Sequence, residues 1–135
     1  MLFRSITGNH DTARDAAPAR TPTLGGTTRL GGTTLAELAI AGLILRHEAR
    51  AGETTPELSG HFHPRLRVIT RGRSIARPCV VRSATKLILP AIGTLSGGMD
   101  AADPAILAAL YPAREAEALV ATAGKLLRFP VLRAA

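Results

Sequence analysis

The chain is poor in rings. Three Phe, one Tyr and no Trp among 135 residues leave too little aromatic material to build a core. The interior has to come from Leu, Ile, Val and Ala, which favours layered packing of aliphatic faces. Cys79 is the only cysteine, so no disulfide can close within the chain, which fits a reducing compartment. Long apolar runs are missing too. The longest, Leu35 to Leu45, is interrupted by Glu37 and is too short to cross a bilayer. The opening MLFRSITGNHD has no apolar segment followed by a cleavage site. No signal peptide and no membrane partner are therefore expected, and the expected location is cytoplasmic. Lysine is almost absent, with only Lys86 and Lys125, and no histidine follows His63.

What is present is aliphatic and arginine-rich. Hydrophobic residues make up 46% of the chain, and 135 residues suffice for one small domain with a real core. Arginine carries nearly all of the excess that gives a formal net charge of +7. Such a field draws in phosphate-bearing partners, and guanidinium suits bidentate phosphate contact. The same composition also fits a GC-rich genome that encodes Arg and Ala freely.

Leu2 to Thr7 reads as a short strand feeding a loop at Gly8. Residues 12–34, rich in Thr, Gly, Ala, Arg and Pro, read as a long loop that repeats LGGTT at 24–28 and 30–34. Leu38 to Leu45 is continuously apolar and reads as a buried strand, with a short helix as the other reading. Leu66 to Ile69, Pro78 to Arg82 and Lys86 to Leu89 read as further strands, with a turn at 71–74 and another around Ser83-Ala84-Thr85. Gly93 to Gly98 is a glycine-rich loop. Asp103-Pro104 starts the best helix candidate, with an Asp N-cap, Pro at the first helical position and Pro112 closing it. Ala118 to Thr122 and Lys125 to Phe129 flank Ala123-Gly124 as a terminal hairpin. The expectation is a single β-rich domain with one or two helices.

Chemistry concentrates in the first half. Gly60-His61-Phe62-His63 sets two imidazoles around one phenylalanine. In extended chain, residues two apart point the same way, so both rings would reach one pocket while Phe62 packs behind them. Two neighbouring imidazoles suit first-row transition metals, as one ion or as two ions roughly 3.5–4 Å apart. Alone, the motif equally fits two surface histidines on a turn. Gly8-Asn9-His10-Asp11 puts an amide oxygen, an imidazole and a carboxylate in one loop after a strand. A polar turn or cap would use the same residues. His47 ends an apolar run, where a lone histidine is often only hydrogen-bonded.

Read in order, G-N-H-D, then a histidine after an apolar strand, then G-H-x-H resemble the second half of the calcineurin-like metallophosphoesterase signature. SGHFHP at 59–64, RGRSIARPCVV at 71–81 and LPAIGTLSGG at 89–98 resemble one branch more closely, the bacterial DNA-ligase-associated DNA-damage-response phosphoesterases and endonucleases. The resemblance runs from about residue 3 to GKLLRFPV at 124–131. It implies an α/β fold, α+β in this portion: part of a metallophosphoesterase β-sandwich flanked by helices. It implies a centre of two divalent transition metal ions (Mn, Fe or Zn). Asn9, His47 and His61 would ligate one metal and His63 the other. His10 would sit near the scissile phosphate as proton donor or transition-state stabiliser, and Asp11 would orient it. The substrate would be a phosphoester, with DNA or RNA the expected partner and DNA repair the setting.

The family also carries an earlier D-x-H and a G-D-x-x-D, which supply the remaining ligands and the bridging carboxylate. Neither occurs here, and only seven residues precede Gly8. The expectation is therefore an N-terminally incomplete domain, as from a late start codon, a gene fragment or a degenerate copy. It should be weakly active or inactive alone, and open to self-association through an incomplete sheet. The alternative is a non-catalytic basic module that holds nucleic acid or protein through Arg65, Arg67, Arg71, Arg73 and Arg77. That stretch also reads as a solvated strand face and lacks aromatics for base stacking. Gly93 to Gly98 lacks the Gly-Lys-Ser/Thr ending of a P-loop, and Cys79 beside Pro78 and Val80 reads as buried.

Overall fold

The structure, a computed structural model, describes residues 3–6, 32–93 and 96–133. In chain order the described elements are Phe3–Ile6 (β1), Gly32–Leu35 (β2), Glu37–Ile40 (β3), Leu43–Arg46 (β4), Glu57–Ser59 (β5), Arg65–Thr70 (β6), Arg73–Pro78 (β7), Val80–Arg82 (β8), Lys86–Ile88 (β9), Pro104–Ala109 (α1), Ala116–Thr122 (β10) and Lys125–Leu132 (β11). The protein is thus mostly sheet. Among the described residues, no helix is long and apolar enough to cross a membrane.

Three two-residue turns shape the strands into hairpins. Ala41-Gly42, Arg71-Gly72 and Ala123-Gly124 each hold two consecutive residues at positive φ: 50° and 78°, 47° and 74°, 44° and 74°. Two left-handed residues in a row match the twist of the flanking strands, and glycine takes one of the two positions without steric penalty. The turns join β3 to β4, β6 to β7, and β10 to β11. Seven strands form one sheet in the order β11-β10-β8-β9-β5-β4-β3. Its centre is parallel, β4 with β5 and β5 with β9, and its flanks are antiparallel. β1 and β2 pair in parallel as a separate sheet, and β6–β7 stand alone as a two-stranded ribbon. Only Ala36 separates β2 from β3, so the chain changes sheets at that residue.

The terminal hairpin and the helix after Asp103 match the sequence reading, whereas the turn expected at 71–74 is only Arg71-Gly72, and Arg73 and Ser74 open β7, a strand the sequence reading did not include. Asp103 Oδ1 accepts from Ala105 N at 2.8 Å, with Pro104 in the first turn. Leu38 to Leu45 does not form one buried strand. It is two strands folded at Ala41-Gly42, and Ala39 and Ile40 are exposed. The apolar run hid the turn, since alanine carries no turn signature of its own. The predicted strand Pro78 to Arg82 is likewise split at Cys79, with Pro78 ending β7. Gly32 to Thr34, read as the end of a long loop, belong to β2; residues 12–31 lie outside the described residues.

Strand alternation gives the large sheet two unlike faces. On one, Ser59, Ile88, Val81 and Ala118 are successive register partners across β5, β9, β8 and β10, and all four are buried. Ile106 and Leu110 from the α1 region, with Phe62, Cys79 and Ala101, complete this core. On the other face, Leu38, Leu45, Leu58 and Leu87 form a row across four strands, continued by Arg82 and Glu117. Leu87 is exposed and the other three leucines are half-buried.

The core face also contains charge. Glu57 and Lys86 are register partners, at 2% and 1% exposure. Lys86 Nζ donates to the carbonyl of Arg50, to that of Ala109 at 2.7 Å and to that of Tyr111 at 3.4 Å. Glu57 accepts from Arg50 N at 3.2 Å and pairs with Arg46 at 3.2 Å, and Arg46 also meets Glu37 and Glu53. Burial pushes the Lys86 ammonium below its usual range, while the Glu57 and Glu53 carboxylates pull the other way. Glu57→Ala would leave buried Lys86 without its register-paired counter-charge and Arg46 with only its Glu37 and Glu53 partners. We expect a loss of about 3–5 kcal/mol of unfolding free energy, read by urea denaturation.

Cys79 is buried, as its apolar neighbours predict. Burial pushes its thiol from 9.0 up to about 11. The unfolded thiol loses its proton first, so the folded state holds an extra proton between those values and stability falls as pH rises through that window. Two outcomes follow from this. Native chain should resist a thiol reagent at pH 8 until it is unfolded. Cys79→Ala should gain roughly 2–3 kcal/mol relative to wild type between pH 9 and 11, measured by unfolding at each pH.

Candidate functional site

β4 and β5 run in the same direction side by side, so the residues just past their C-terminal ends meet. That is where parallel sheets gather ligands. His47 follows Arg46, the last residue of β4. Gly60 follows Ser59, the last of β5, and its N–H donates to the His47 carbonyl at 2.9 Å. On the other side, Leu89 N donates to Ser59 O at 2.7 Å and extends the ladder from β9. The loop ends that carry the histidines are therefore pinned by backbone bonds.

The histidine turn is not extended. His61 has φ 64° and His63 has φ 49°, and Phe62 N donates back to Gly60 O at 2.8 Å. The two rings therefore do not converge as alternate residues of an extended strand would; the chain doubles back at His61 instead. Left-handed backbone at a residue with a Cβ costs about 1–2 kcal/mol, and it persists only where the surroundings enforce it. Here they do. Phe62 and Pro64 are buried, Met99 N donates to Phe62 O at 3.2 Å, Cys79 N to Pro64 O at 3.0 Å, and Arg65 N to Met99 O at 2.8 Å. Phe62 packs into the core, as its place between two polar rings suggests, and both histidines remain half-buried.

The turn delivers His61 onto His47. Their Nδ1 and Nε2 atoms lie 3.0 Å apart, with the rings edge to face at 77° and 4.9 Å between centroids. The His61 ring also lies edge to face with Phe62, at 76° and 5.1 Å between centroids. The far nitrogen of His61 is 3.7 Å from Glu48 Oε2. Two neutral imidazoles at this spacing share one hydrogen bond. With metal–nitrogen bonds of about 2.1 Å, two ligands at right angles on one ion also sit roughly 3 Å apart. The donor pair therefore fits a transition metal in spacing and in chemistry.

Of the six residues singled out from sequence, the structure brings His47 and His61 together. The His63 ring makes no hydrogen bond or ion pair with a described residue. Asn9, His10 and Asp11 lie outside the described residues, beyond the end of β1 at Ile6. Among the described residues no three His, Cys, Asp or Glu side chains gather as a metal cage.

Three features escaped sequence reading. Glu48 follows His47 directly in R-H-E, and the run of charge after an apolar strand was the available signal. The Glu57–Lys86 network that holds the His47 loop had one clue, the scarcity of lysine. The third is a cavity of about 260 Å³ against the histidine turn, lined by Arg65, Arg67, Ala76, Gly97, Gly98 and Asp100. A larger, open depression of about 1100 Å³ lies at the β8–β10–β11 side, where Glu117 is clamped between Arg82 and Arg128. Hydrogen bonds from Arg128 and Arg82 hold the Glu117 carboxyl below its ordinary range. That region is several strands away from the histidines in the sheet order.

No protein-family model matches the chain, and no curated protein matches it in sequence. Among solved structures it is similar to the nuclease MPE of Pseudomonas putida, with a TM-score of 0.59 and 26% sequence identity over 96% of this chain and 54% of that one. The chain thus spans about half the length of that nuclease. In its β-rich architecture it is similar in fold to part of that nuclease.

Proposed function

We propose that this chain is the C-terminal part of a metal-dependent phosphoesterase of the calcineurin-like family that acts on nucleic acid, with DNA repair as its setting. One observation carries the reading: His47 and His61 converge to 3.0 Å at the ends of two adjacent parallel strands, in a fold similar to that of a nuclease. Asn9, His47 and His61 would hold one divalent Mn, Fe or Zn ion, and His63 a second. When bound, such ions neutralise charge on phosphoryl oxygens and make water acidic enough to supply a nucleophile at neutral pH.

The protein's own part is positioning. Phe62 and Pro64 fix the turn so that His61 presents Nδ1 to His47. Glu48, on the far side of the ring, would set which nitrogen carries the proton, as carboxylates behind ligating histidines do. His10 would donate a proton to the leaving oxygen and Asp11 would orient it. The carboxylates of D-x-H and G-D-x-x-D do not occur in this sequence, so the chain by itself should hold metal weakly and turn over little substrate. Self-association through the leucine row would follow from the same incompleteness.

The expected result is measurable Mn²⁺ or Zn²⁺ binding by calorimetry, weakened about tenfold or more in His47→Ala and in His61→Ala. Hydrolysis of bis-p-nitrophenyl phosphate should stay near background with Mn²⁺. A rate typical of an intact two-metal enzyme would contradict the claim of incompleteness. Absence of metal binding in the unmodified chain would favour the other reading, a non-catalytic basic module. That reading is supported by the exposed arginines of the β6–β7 ribbon.

A further inference from the structure

The cavity beside the histidine turn has an unusual wall. A Cβ on Gly98 would run into the His63 carbonyl oxygen and lie 3.0 Å and 3.1 Å from Arg65 Cγ and Cδ. Bare backbone is therefore required where Gly98 passes the turn. Neither the Gly97 nor the Gly98 N–H donates to a described residue. The facing wall is one side of the ribbon: Arg65, Arg67 and Ala76, the register partner of Arg67.

The two arginines differ. Arg65 is half-buried and anchored, its guanidinium donating to Ser96 O at 3.3 Å and Ala76 O at 3.5 Å, while its backbone bridges to Asp100. It is a fixed positive charge. Arg67 is 62% exposed in its side chain and is held only by Asp100 at 3.7 Å, a contact that surface screening makes weak. Asp100 has a second task, accepting from Ala102 N at 3.0 Å. The lining carries one more positive than negative charge.

We propose that this cavity is a phosphate subsite for a nucleic-acid strand, taking a backbone phosphate within a few nucleotides of the one at the His47–His61 pair. The proposal rests on the phosphoesterase reading above and adds the residues that hold the strand. About 260 Å³ is below the ~300 Å³ at which drug-sized pockets begin and several times the ~30 Å³ share of a water, a size that admits a phosphate group. The lining has no aromatic residue on which a base could stack. It offers guanidinium groups and backbone N–H groups, the donors that phosphate oxygens take. Arg65 is four residues past His61, so their Cα atoms are at most about 14 Å apart. At 3.4 Å of axis per nucleotide, a strand covers that in about four nucleotides.

The test is fluorescence anisotropy with a short labelled single strand, as DNA and as RNA of the same sequence, titrated at several salt concentrations. The two arms tell which backbone the pocket takes. Arg67→Ala should weaken binding about tenfold and reduce the salt slope by about 0.7, the value for one phosphate contact on a single strand. Ala76→Glu, which puts a carboxylate into the cavity, should weaken it at least as much. Arg73→Ala removes an equal charge from the opposite face of the same ribbon and should leave affinity within about twofold. Thermal melts of all three should match wild type. Wild-type affinity and slope in Arg67→Ala and Ala76→Glu would overturn the subsite, as would an equal loss in Arg73→Ala, which would mark diffuse charge. Either result leaves metal binding by His47 and His61 untouched, so the two readings fail separately.

Discussion

Glu57 and Lys86 sit side by side in the middle of the sheet, out of reach of water, and much of the structure hangs on that arrangement. A buried pair is no efficient source of stability, because desolvation offsets most of the attraction. Its value here is in what the two groups reach. Lys86 gathers carbonyls from the loop after β4 and from the end of α1, and Glu57 holds the backbone of the same loop and Arg46. Helix, loop and sheet are thereby fixed to one point. That loop begins with His47.

From there the histidine pair depends on a second constraint, the left-handed turn at His61. Two non-glycine residues at positive φ, two positions apart, are unfavourable alone. Burial of Phe62 and Pro64 and four backbone bonds around them hold the conformation in place. The polar rings stay at the surface because the apolar residues beside them are drawn inward. The same turn presents its His63 carbonyl to Gly98, and so makes the ribbon cavity a neighbour of the histidines.

Much of this was legible in the sequence, for reasons that separate the successes from the misses. Asp103-Pro104 and Ala123-Gly124 carry local stereochemistry, so the helix start and the last hairpin could be read directly. Ala41-Gly42 uses the same turn geometry, but it sits inside an apolar run and was lost to the run's continuity. The histidines were identified by residue type and order. How they meet was not legible, since it depends on β4 and β5 being parallel neighbours and on φ angles that composition does not encode. The roles of Arg65 and Gly98 required knowing that residues 65 and 98 pass each other, a long-range contact without a local signature.

The topology also orders events in time. The three hairpins close over two-residue turns and need little loop entropy, so they form on the microsecond scale of isolated hairpins. The parallel pairings join distant segments: Ile44 to Glu57, Glu57 to Lys86 and Phe3 to Gly32. Non-local pairings of this kind are slow to assemble. The histidines stand at the ends of β4 and β5, which meet through one of these non-local pairings. The chain thus completes its two-residue hairpins first, and the place where its chemistry gathers takes shape after them.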